Sequence, residues 1–226
     1  MCGRFARWTP RQDFAALAGL PLDPSMPFGE TVPSWNIAPG RACALVRQEI
    51  GRGPSLDNLT WGFIPHWSKT RPSRRPINAR IETAHELPTF RRCFRYRRCL
   101  VATDGWYEWV STPDGKQPYF HCLSAHQPFF FGGLWDTWAG PDGEVPTFAI
   151  LTQPAASSIA SIHDRMPVIV PPSAYAAWLD KDVTDPAVLV AACAPPDDLV
   201  AYPVSRQVNR ADVDNPQLIE PLHDST

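Results

Sequence analysis

The chain has 226 residues, of which 44% are hydrophobic, and its formal net charge is −2 at pH 7. This length suffices for one substantial core, so we expect a single domain over residues 1–226. No apolar run reaches the roughly 18 to 20 residues of a membrane span, and Arg4, Arg7 and Arg11 interrupt any signal-peptide core. The composition therefore argues against a membrane protein and favours a cytoplasmic location.

Six cysteines stand at positions 2, 43, 93, 99, 122 and 193. They form no CxxC pair and no Cys/His spacing typical of a zinc site. Isolated cysteines of this kind are typical of reduced, buried thiols in a cytosolic chain. The sequence therefore predicts neither a metal site nor a cofactor.

The first predicted element is a helix after Thr9, which would serve as N-cap, with Pro10 at the first helical position and Gln12 completing a capping box. This helix is expected to end at Gly19. A proline-punctuated loop over residues 21–33 and an extended stretch over 34–40 follow. Alternation then predicts strands at 42–48 and 59–64.

Residues 65–76 are predicted to form a loop, followed by short helices at 82–87 and 89–96. From residue 99 onward the pattern predicts strands at 99–102, 105–110, 119–123, 129–134 and 146–152, separated by turn signals. The remainder predicts helices at 155–162, 172–179 and 185–193 and strands at 167–170 and 199–205. The fold class is therefore α+β, a single domain with a strongly curved, barrel-like antiparallel sheet and peripheral helices.

Basic residues are concentrated in one segment. Between residues 69 and 98, ten basic side chains stand against two acidic ones, a local charge of +8. Eighteen of the 21 basic residues in the chain are arginine, whose planar guanidinium suits phosphate and stacks on bases. A charge run is often no more than a solvated face, so this segment alone leaves nucleic-acid binding and simple solubility equally open.

The second residue of the chain has a distinctive chemistry if Met1 is removed. Cys2 would then carry a free amine and a thiol on adjacent carbons. An α-amine titrates at about 7.7 to 8.0 and a thiol at about 8.5, so both are available near neutral pH. Taken alone, a cysteine at position two most often belongs to an unstructured chain end.

Three short segments combine polar side chains with apolar flanks: residues 78–80, 104–109 and 162–167. In the strand that contains Glu108, alternation places Trp106 on the same face, and burial among aromatic rings would raise the pKa of the carboxyl and suit it to proton transfer. A solvated strand glutamate is the alternative. His163 alone could be an ordinary core or surface histidine, and Asn78 could merely cap a helix.

Seven segments occur together and in a fixed order. They are Cys2-Gly3-Arg4-Phe5, Trp35-Asn36-Ile37-Ala38-Pro39, Trp61-Gly62-Phe63-Ile64-Pro65, Asn78-Ala79-Arg80-Ile81-Glu82-Thr83, Asp104-Gly105-Trp106-Tyr107-Glu108-Trp109, Phe148-Ala149-Ile150-Leu151-Thr152 and Ile162-His163-Asp164-Arg165-Met166-Pro167. This set resembles the SOS-response-associated peptidase (SRAP) family. The resemblance is strongest over residues 2–179, and residues 180–226 are expected to extend the same domain.

The resemblance implies a single α+β domain that senses abasic sites in single-stranded DNA and shields them by covalent attachment through the amino-terminal cysteine. It implies that Cys2 is the nucleophile and that Asn78, Glu108 and His163 are the active-site amide, carboxylate and histidine. The positions that it implies for holding the DNA backbone are Arg4, Arg80, Thr152 and Arg165. It further implies a monomer, nucleoid-associated or nuclear according to the source, with lyase-like and self-processing peptidase activity.

The chemistry of the residues agrees with that implication. A ring-opened abasic sugar is an aldehyde, which an amine converts to a Schiff base and an adjacent thiol closes to a thiazolidine. For the single strand we also expect cations from Arg74 and Arg75 and stacking surfaces from Trp67 and Phe63.

Two other functions fit the same residue types. An amino-terminal-cysteine hydrolase would use the Cys2 thiol against an amide, and it would turn over substrate instead of forming an adduct. A non-catalytic single-strand binder would need only the arginine segment, and Cys2→Ala would leave its function whole.

Overall fold

The computed structural model describes residues 2–21, 32–49 and 51–222. Within these residues the strands are β1 (Phe5–Arg7), β2 (Ser34–Ile37), β3 (Ala42–Gln48), β4 (Pro54–Trp61), β5 (Asn78–Arg80), β6 (Arg98–Thr103), β7 (Gly105–Thr112), β8 (Gly115–Leu123), β9 (Phe129–Gly140), β10 (Gly143–Pro154), β11 (Arg165–Pro167), β12 (Ile169–Val170) and β13 (Leu199–Pro203). The α-helices are α1 (Arg11–Leu17), α2 (Ile81–Ala84), α3 (Arg91–Tyr96), α4 (Tyr175–Leu179) and α5 (Pro186–Ala191). Short 3₁₀ turns cover Pro172–Ala174, Arg206–Asn209 and Pro216–Ile219.

The strands form two sheets. The first has the order β13-β8-β7-β1-β2, and all of its pairs are antiparallel. In the second, β10-β4-β3-β6-β9 closes on itself because β9 also pairs with β10, which makes a five-stranded barrel. The strand β10 runs parallel to β4 and β5, so the barrel is mixed. The predicted α+β class and barrel-like single domain are confirmed, although the sheet is not wholly antiparallel.

Three clusters of buried side chains fill the spaces between these elements. The first packs all five helices against the barrel, with Phe130 and Trp178 among its members. The second joins the barrel to the other sheet through residues such as Phe5 and Phe131. Phe130 and Phe131 face different clusters because side chains alternate along β9. The third lies under the C-terminal segment and includes Val208.

Gly105 permits the close approach of two strands of the first sheet. A Cβ atom at this position would lie 2.3 Å from Cζ of Phe120 and 2.5 Å from the carbonyl oxygen of His121. Both atoms belong to β8, and real Cβ contacts are never so short. We infer that any larger residue at position 105 would push β8 away from β7 and disturb the site described below.

Two local predictions are wrong. The Thr9 side chain does not cap α1, since its hydroxyl donates to Asp104 at 2.5 Å and Pro10 occupies the N-cap position. Residues 155–162 form consecutive turns, not a helix, because the Ala155 N–H donates to the Asp164 carbonyl at 2.9 Å. A straight helix of eight residues, about 12 Å long, could not bring these ends together.

Other boundaries differ more modestly. The strand predicted at 59–64 is β4, which ends at Trp61, and several hairpin strands extend beyond their apolar centres. The predicted loop over 21–33 lies mostly outside the described residues. Among the helices that are described, none is long and apolar enough to cross a membrane.

Candidate functional site

Cys2 lies where the two sheets meet. Its side chain is fully buried, and β1, which follows it, pairs with β7 so that Phe5 stands opposite Trp106. Asn78 opens β5 opposite Ile150 of β10 and donates from Nδ2 to the Cys2 carbonyl oxygen at 2.8 Å. This side-chain hydrogen bond therefore links the start of the chain to the strands of the barrel sheet. The other amide atom, Oδ1 of Asn78, is buried without a hydrogen-bond partner and can accept one from a ligand.

Glu108 lies in β7, two residues after Trp106 and on the same face, and it is 3% exposed. Burial raises the pKa of its carboxyl to about 7, and the nearby Asp164 carboxylate contributes in the same direction. Burial also raises the pKa of the Cys2 thiol, with the Glu108 charge as the second cause. The carboxyl and the thiol are therefore neighbours, and the predicted burial and raised pKa of Glu108 are confirmed.

His163 precedes β11 and is partly buried. Burial lowers the pKa of its imidazole, so the ring is neutral near pH 7. Its Nδ1 atom accepts the Arg165 backbone N–H at 2.9 Å and lies equally close to the largely exposed Asp164 carboxylate. We take the backbone bond as the one that orients the neutral ring, because a neutral Nδ1 that accepts one hydrogen bond cannot donate to the carboxylate.

His121 is a neighbour of this site that the sequence pattern did not indicate. It lies in β8 directly opposite Trp106, with ring centroids 4.8 Å apart, and it is 1% exposed. Burial lowers the pKa of its imidazole to about 4, and the charge of His163 adds to this shift. The turn signal at Pro113-Asp114-Gly115 could have found it, because a tight hairpin there places residues 106 and 121 opposite each other.

Three of the predicted DNA-holding residues meet beside the site. Arg165 donates to both carboxylate oxygens of Glu82, at 2.6 and 2.9 Å, and to the Thr152 carbonyl at 2.6 Å. Thr152 is fully buried and pairs in register with Arg80, which is exposed. Thr152 thus does not reach the surface, and its role in this structure is to hold Arg165. This corrects the expectation that Thr152 itself contacts DNA.

Arg4 is held by the C-terminal segment. Its Nη1 atom donates to Asn36 Oδ1 at 2.5 Å and to the Val208 carbonyl at 3.0 Å. Burial lowers the pKa of the Arg4 guanidinium. Asn36 in turn donates to the carbonyl oxygens of Arg210 and Val213 at 2.9 and 2.5 Å. The segment after residue 200 therefore positions a side chain two residues from Cys2.

The two candidate stacking residues, Trp67 and Phe63, differ in their exposure to solvent. Trp67 is 58% exposed, whereas Phe63 is fully buried and packs against Phe90 with ring centroids 5.1 Å apart. Phe63 offers no free face to a base, so the prediction of a stacking role for it is wrong. Arg74 is exposed, and the half-buried Arg75 packs against Gly62, with side-chain atoms 3.5 Å from the place where a Cβ atom of residue 62 would lie.

The basic segment is not one continuous surface. Arg98 is buried and donates to the carbonyl oxygens of Phe94, Arg95, Trp178, Asp180 and Val183. It therefore ties α3 to the end of α4. Five arginines of the segment besides Arg80 have exposed side chains: Arg71, Arg74, Arg91, Arg92 and Arg95.

All six cysteines are free and buried. Among the described residues, no group of three or more His, Cys, Asp or Glu side chains could hold a metal ion.

The carboxyl of Glu108 also affects stability. Because its pKa is raised from 4.5 to about 7, the folded protein binds more protons than the unfolded chain in this window. The free energy of unfolding should therefore fall as pH rises from 4.5 to 7, and Glu108→Gln should remove that fall, which is on the order of 3 kcal/mol. Thermal unfolding across this range, with the exposed Glu144→Gln as control, measures it. A stability difference that does not change with pH would contradict the assignment.

Fold and site together define a barrel protein whose candidate nucleophile is the cysteine at position two, packed beside an amide and a carboxyl. The family model of the SOS response associated peptidase (SRAP) matches residues 1–211. The chain belongs to this family, which confirms the resemblance drawn from the sequence.

Relatives match this chain over nearly its whole length. The chain is 36% identical over 225 residues to abasic site processing protein YoqW of Bacillus subtilis, covering 97% of this chain and 99% of the relative. It is 31% identical to abasic site processing protein YedK of Escherichia coli, covering 98% and 100%. A crystal structure of a Bacteroides thetaiotaomicron protein has a TM-score of 0.86 at 20% identity, covers 98% of this chain and 100% of that protein, and so shares the fold.

Proposed function

We propose that this protein captures abasic sites in single-stranded DNA as a covalent adduct on Cys2, after Met1 has been removed. Its relatives carry the name abasic site processing protein. The observation that carries the proposal is the setting of Cys2, whose carbonyl oxygen receives the Asn78 amide and whose thiol lies beside the Glu108 carboxyl. Met1 itself lies outside the described residues.

The reaction balances without an external oxidant or cofactor. The free amine of Cys2 adds to the aldehyde carbon of the ring-opened sugar, and loss of one water gives an imine. The thiol sulfur then adds to the imine carbon while its proton passes to the nitrogen, which closes a five-membered thiazolidine. Both steps are intramolecular once DNA is bound, so they gain the rate advantage of held reactants.

Glu108 is the group that moves protons in this scheme. The raised pKa of the Cys2 thiol leaves little thiolate near neutral pH, so the sulfur needs a base. A carboxyl with a pKa of about 7 can accept the thiol proton and can also donate one to the departing water. Asn78 would hold the sugar or the amine through its free Oδ1, and the neutral His163 would orient the adjacent phosphate or assist ring opening.

The same site would also carry out the other activities that the family resemblance implies. We propose that it removes Met1 itself, and that the Schiff base allows a lyase-like side reaction until the thiazolidine forms. We further propose a monomer, with residues 180–226 extending the one domain, that acts in the cytoplasm on nucleoid DNA, or in the nucleus of a eukaryote.

Intact mass spectrometry tests the main proposal. The purified protein should lack the mass of one methionine, and incubation with an abasic single-stranded oligonucleotide should add the oligonucleotide mass less one water. Cys2→Ala should lose the stable adduct and keep DNA binding. Turnover of an amide substrate without any adduct would favour a hydrolase instead.

Single-strand binding should depend on salt. Exposed Arg74 and Arg80 would neutralise phosphates, so the logarithm of affinity should fall as the logarithm of salt rises. Arg74→Gln should flatten this slope by about 0.7, the effect of one lost phosphate contact on a single strand. The exposed Lys116→Gln is the matched control. Equal slopes for the two variants would remove Arg74 from the DNA contact.

A further inference from the structure

Trp67 is the most exposed tryptophan of the described chain, at 58%. It lies in the connection between β4 and β5, in a turn that the Ser68 N–H closes on the Pro65 carbonyl at 3.0 Å. More than half of this large aromatic side chain stays in contact with solvent. A single exposed apolar residue is common on protein surfaces, so the feature that distinguishes Trp67 is how the chain on both sides of it is held.

Both neighbours of Trp67 are bound to one strand of the barrel. The His66 backbone N–H and its Nδ1 atom contact Asp136 Oδ2 at 2.9 and 2.8 Å. On the other side, Trp138 donates from Nε1 to the Ser68 carbonyl at 2.7 Å. Asp136 and Trp138 are two residues apart in β9 and so lie on the same face. We call this pair the loop clamp, because it binds the chain immediately before and after Trp67 through hydrogen bonds to His66 and Ser68.

The loop clamp is itself rigidly placed. Asp136 is 1% exposed, and its second oxygen accepts from Arg97 Nη1 and from the Thr137 backbone N–H at 3.0 Å. Trp138 is 4% exposed. Because β9 is part of the closed barrel, the loop inherits the rigidity of that barrel at two points on either side of the exposed ring.

We propose that Asp136 and Trp138 are positioning residues, which hold Trp67 as a preformed platform for a base of the single strand that carries the lesion. This inference rests on the proposed single-strand binding. Stacking on an aromatic side chain tolerates every base, as a lesion sensor requires. Because the chain is already fixed on both sides of Trp67, less conformational freedom is lost when a base stacks on the ring, so the clamp increases affinity without touching DNA.

The loop clamp therefore gives a role to the buried Asp136 carboxylate, which is remote in sequence from every candidate site residue. The path of the chain also supports a contact of Trp67 with the same DNA strand that is captured at Cys2. After Trp67 the connection returns to Ile77, whose carbonyl accepts from Ile150 at 3.0 Å, and the next residue is Asn78. The platform and the capture site thus lie on one continuous segment.

Fluorescence of 2-aminopurine tests the proposal. The probe is placed at successive positions on each side of a reduced abasic analogue that cannot react, and stacking quenches it. Wild type should quench strongly at one position, and Trp67→Ala should abolish the quenching there and weaken binding about 5- to 150-fold. Trp138→Phe, which keeps an aromatic side chain and removes the N–H donor together with the five-membered part of the indole, should reduce both effects by several fold.

The controls separate positioning from general damage. Trp109→Phe also removes an indole hydrogen bond, 2.6 Å to Asn209, on the face opposite Glu108, and should behave as wild type. With reactive abasic DNA at saturation, Trp138→Phe should reach the wild-type adduct yield, because only binding is affected. Asp136→Asn is the second clamp variant.

Two results would overturn the inference. In one, both clamp variants match wild type in quenching and affinity while Trp67→Ala loses them. In the other, Trp67→Ala itself changes nothing. Neither result concerns the adduct, so a failure of the proposed covalent capture would be seen separately in the mass of wild type.

Discussion

A variant with a glutamine inserted between Met1 and Cys2 will form no stable adduct with abasic single-stranded DNA. The inserted residue converts the Cys2 amine into a peptide nitrogen, whose lone pair is delocalised into the carbonyl. The thiol could then form only a reversible hemithioacetal with the aldehyde. We expect at least about a 100-fold loss of adduct, because the advantage of two adjacent nucleophiles is gone.

The measurement is a denaturing gel with intact mass over a time course, with DNA binding followed separately. Cys2→Ser supplies the complementary variant, since it keeps the amine and loses the sulfur. That variant should give an imine that borohydride traps and that hydrolyses without reduction. A heat-stable adduct from the insertion variant would show that another residue is the nucleophile and would refute the proposed chemistry.

Local pattern predicted the elements whose register is set by neighbours in sequence. The strand expected at 42–48 matches β3, and the hairpin of β7 and β8 closes at the predicted turn. The position of Glu108 on the aromatic face followed from this alternation. Its burial and raised pKa are therefore properties that the sequence already contained.

Elements that depend on distant partners were not visible. The strands β1 and β5 have only three residues each, and each exists because it pairs with strands far away in the chain. Strand β9 continues to Gly140, well past the apolar run that predicted it, because the ladder with β10 continues into solvent. Periodicity carries no information on such pairing.

Whether a candidate functional residue is buried or exposed depends in the same way on distant parts of the chain. A charge run cannot distinguish the buried Arg98, which five carbonyls surround, from the exposed Arg74. Likewise, an aromatic residue in a loop gives no sign of whether it packs inward, as Phe63 does, or outward, as Trp67 does. These distinctions come from three-dimensional packing alone.

Glu108→Gln will slow crosslinking by about 100-fold or more while leaving binding to an unreactive abasic analogue unchanged. Glutamine keeps the size and polarity of the side chain and cannot take the thiol proton. The rate for wild type should rise as pH rises through about 7, where the Glu108 carboxyl ionises. The variant should lack this inflection and keep only the one at about 7.7 to 8.0 from the amine.

Single-turnover rates across pH 5.5 to 9 measure both features, with Glu144→Gln as the control. His163 provides the sharper comparison, because its pKa is shifted in the opposite direction and its ring is neutral near pH 7. Two groups with opposite shifts hold different protonation states at one pH, which separates their roles. His163→Ala should therefore lower the rate but leave the inflection near pH 7 in place. If the inflection disappears with His163 and survives in Glu108→Gln, the proton belongs to the histidine and the assignment of the base is wrong.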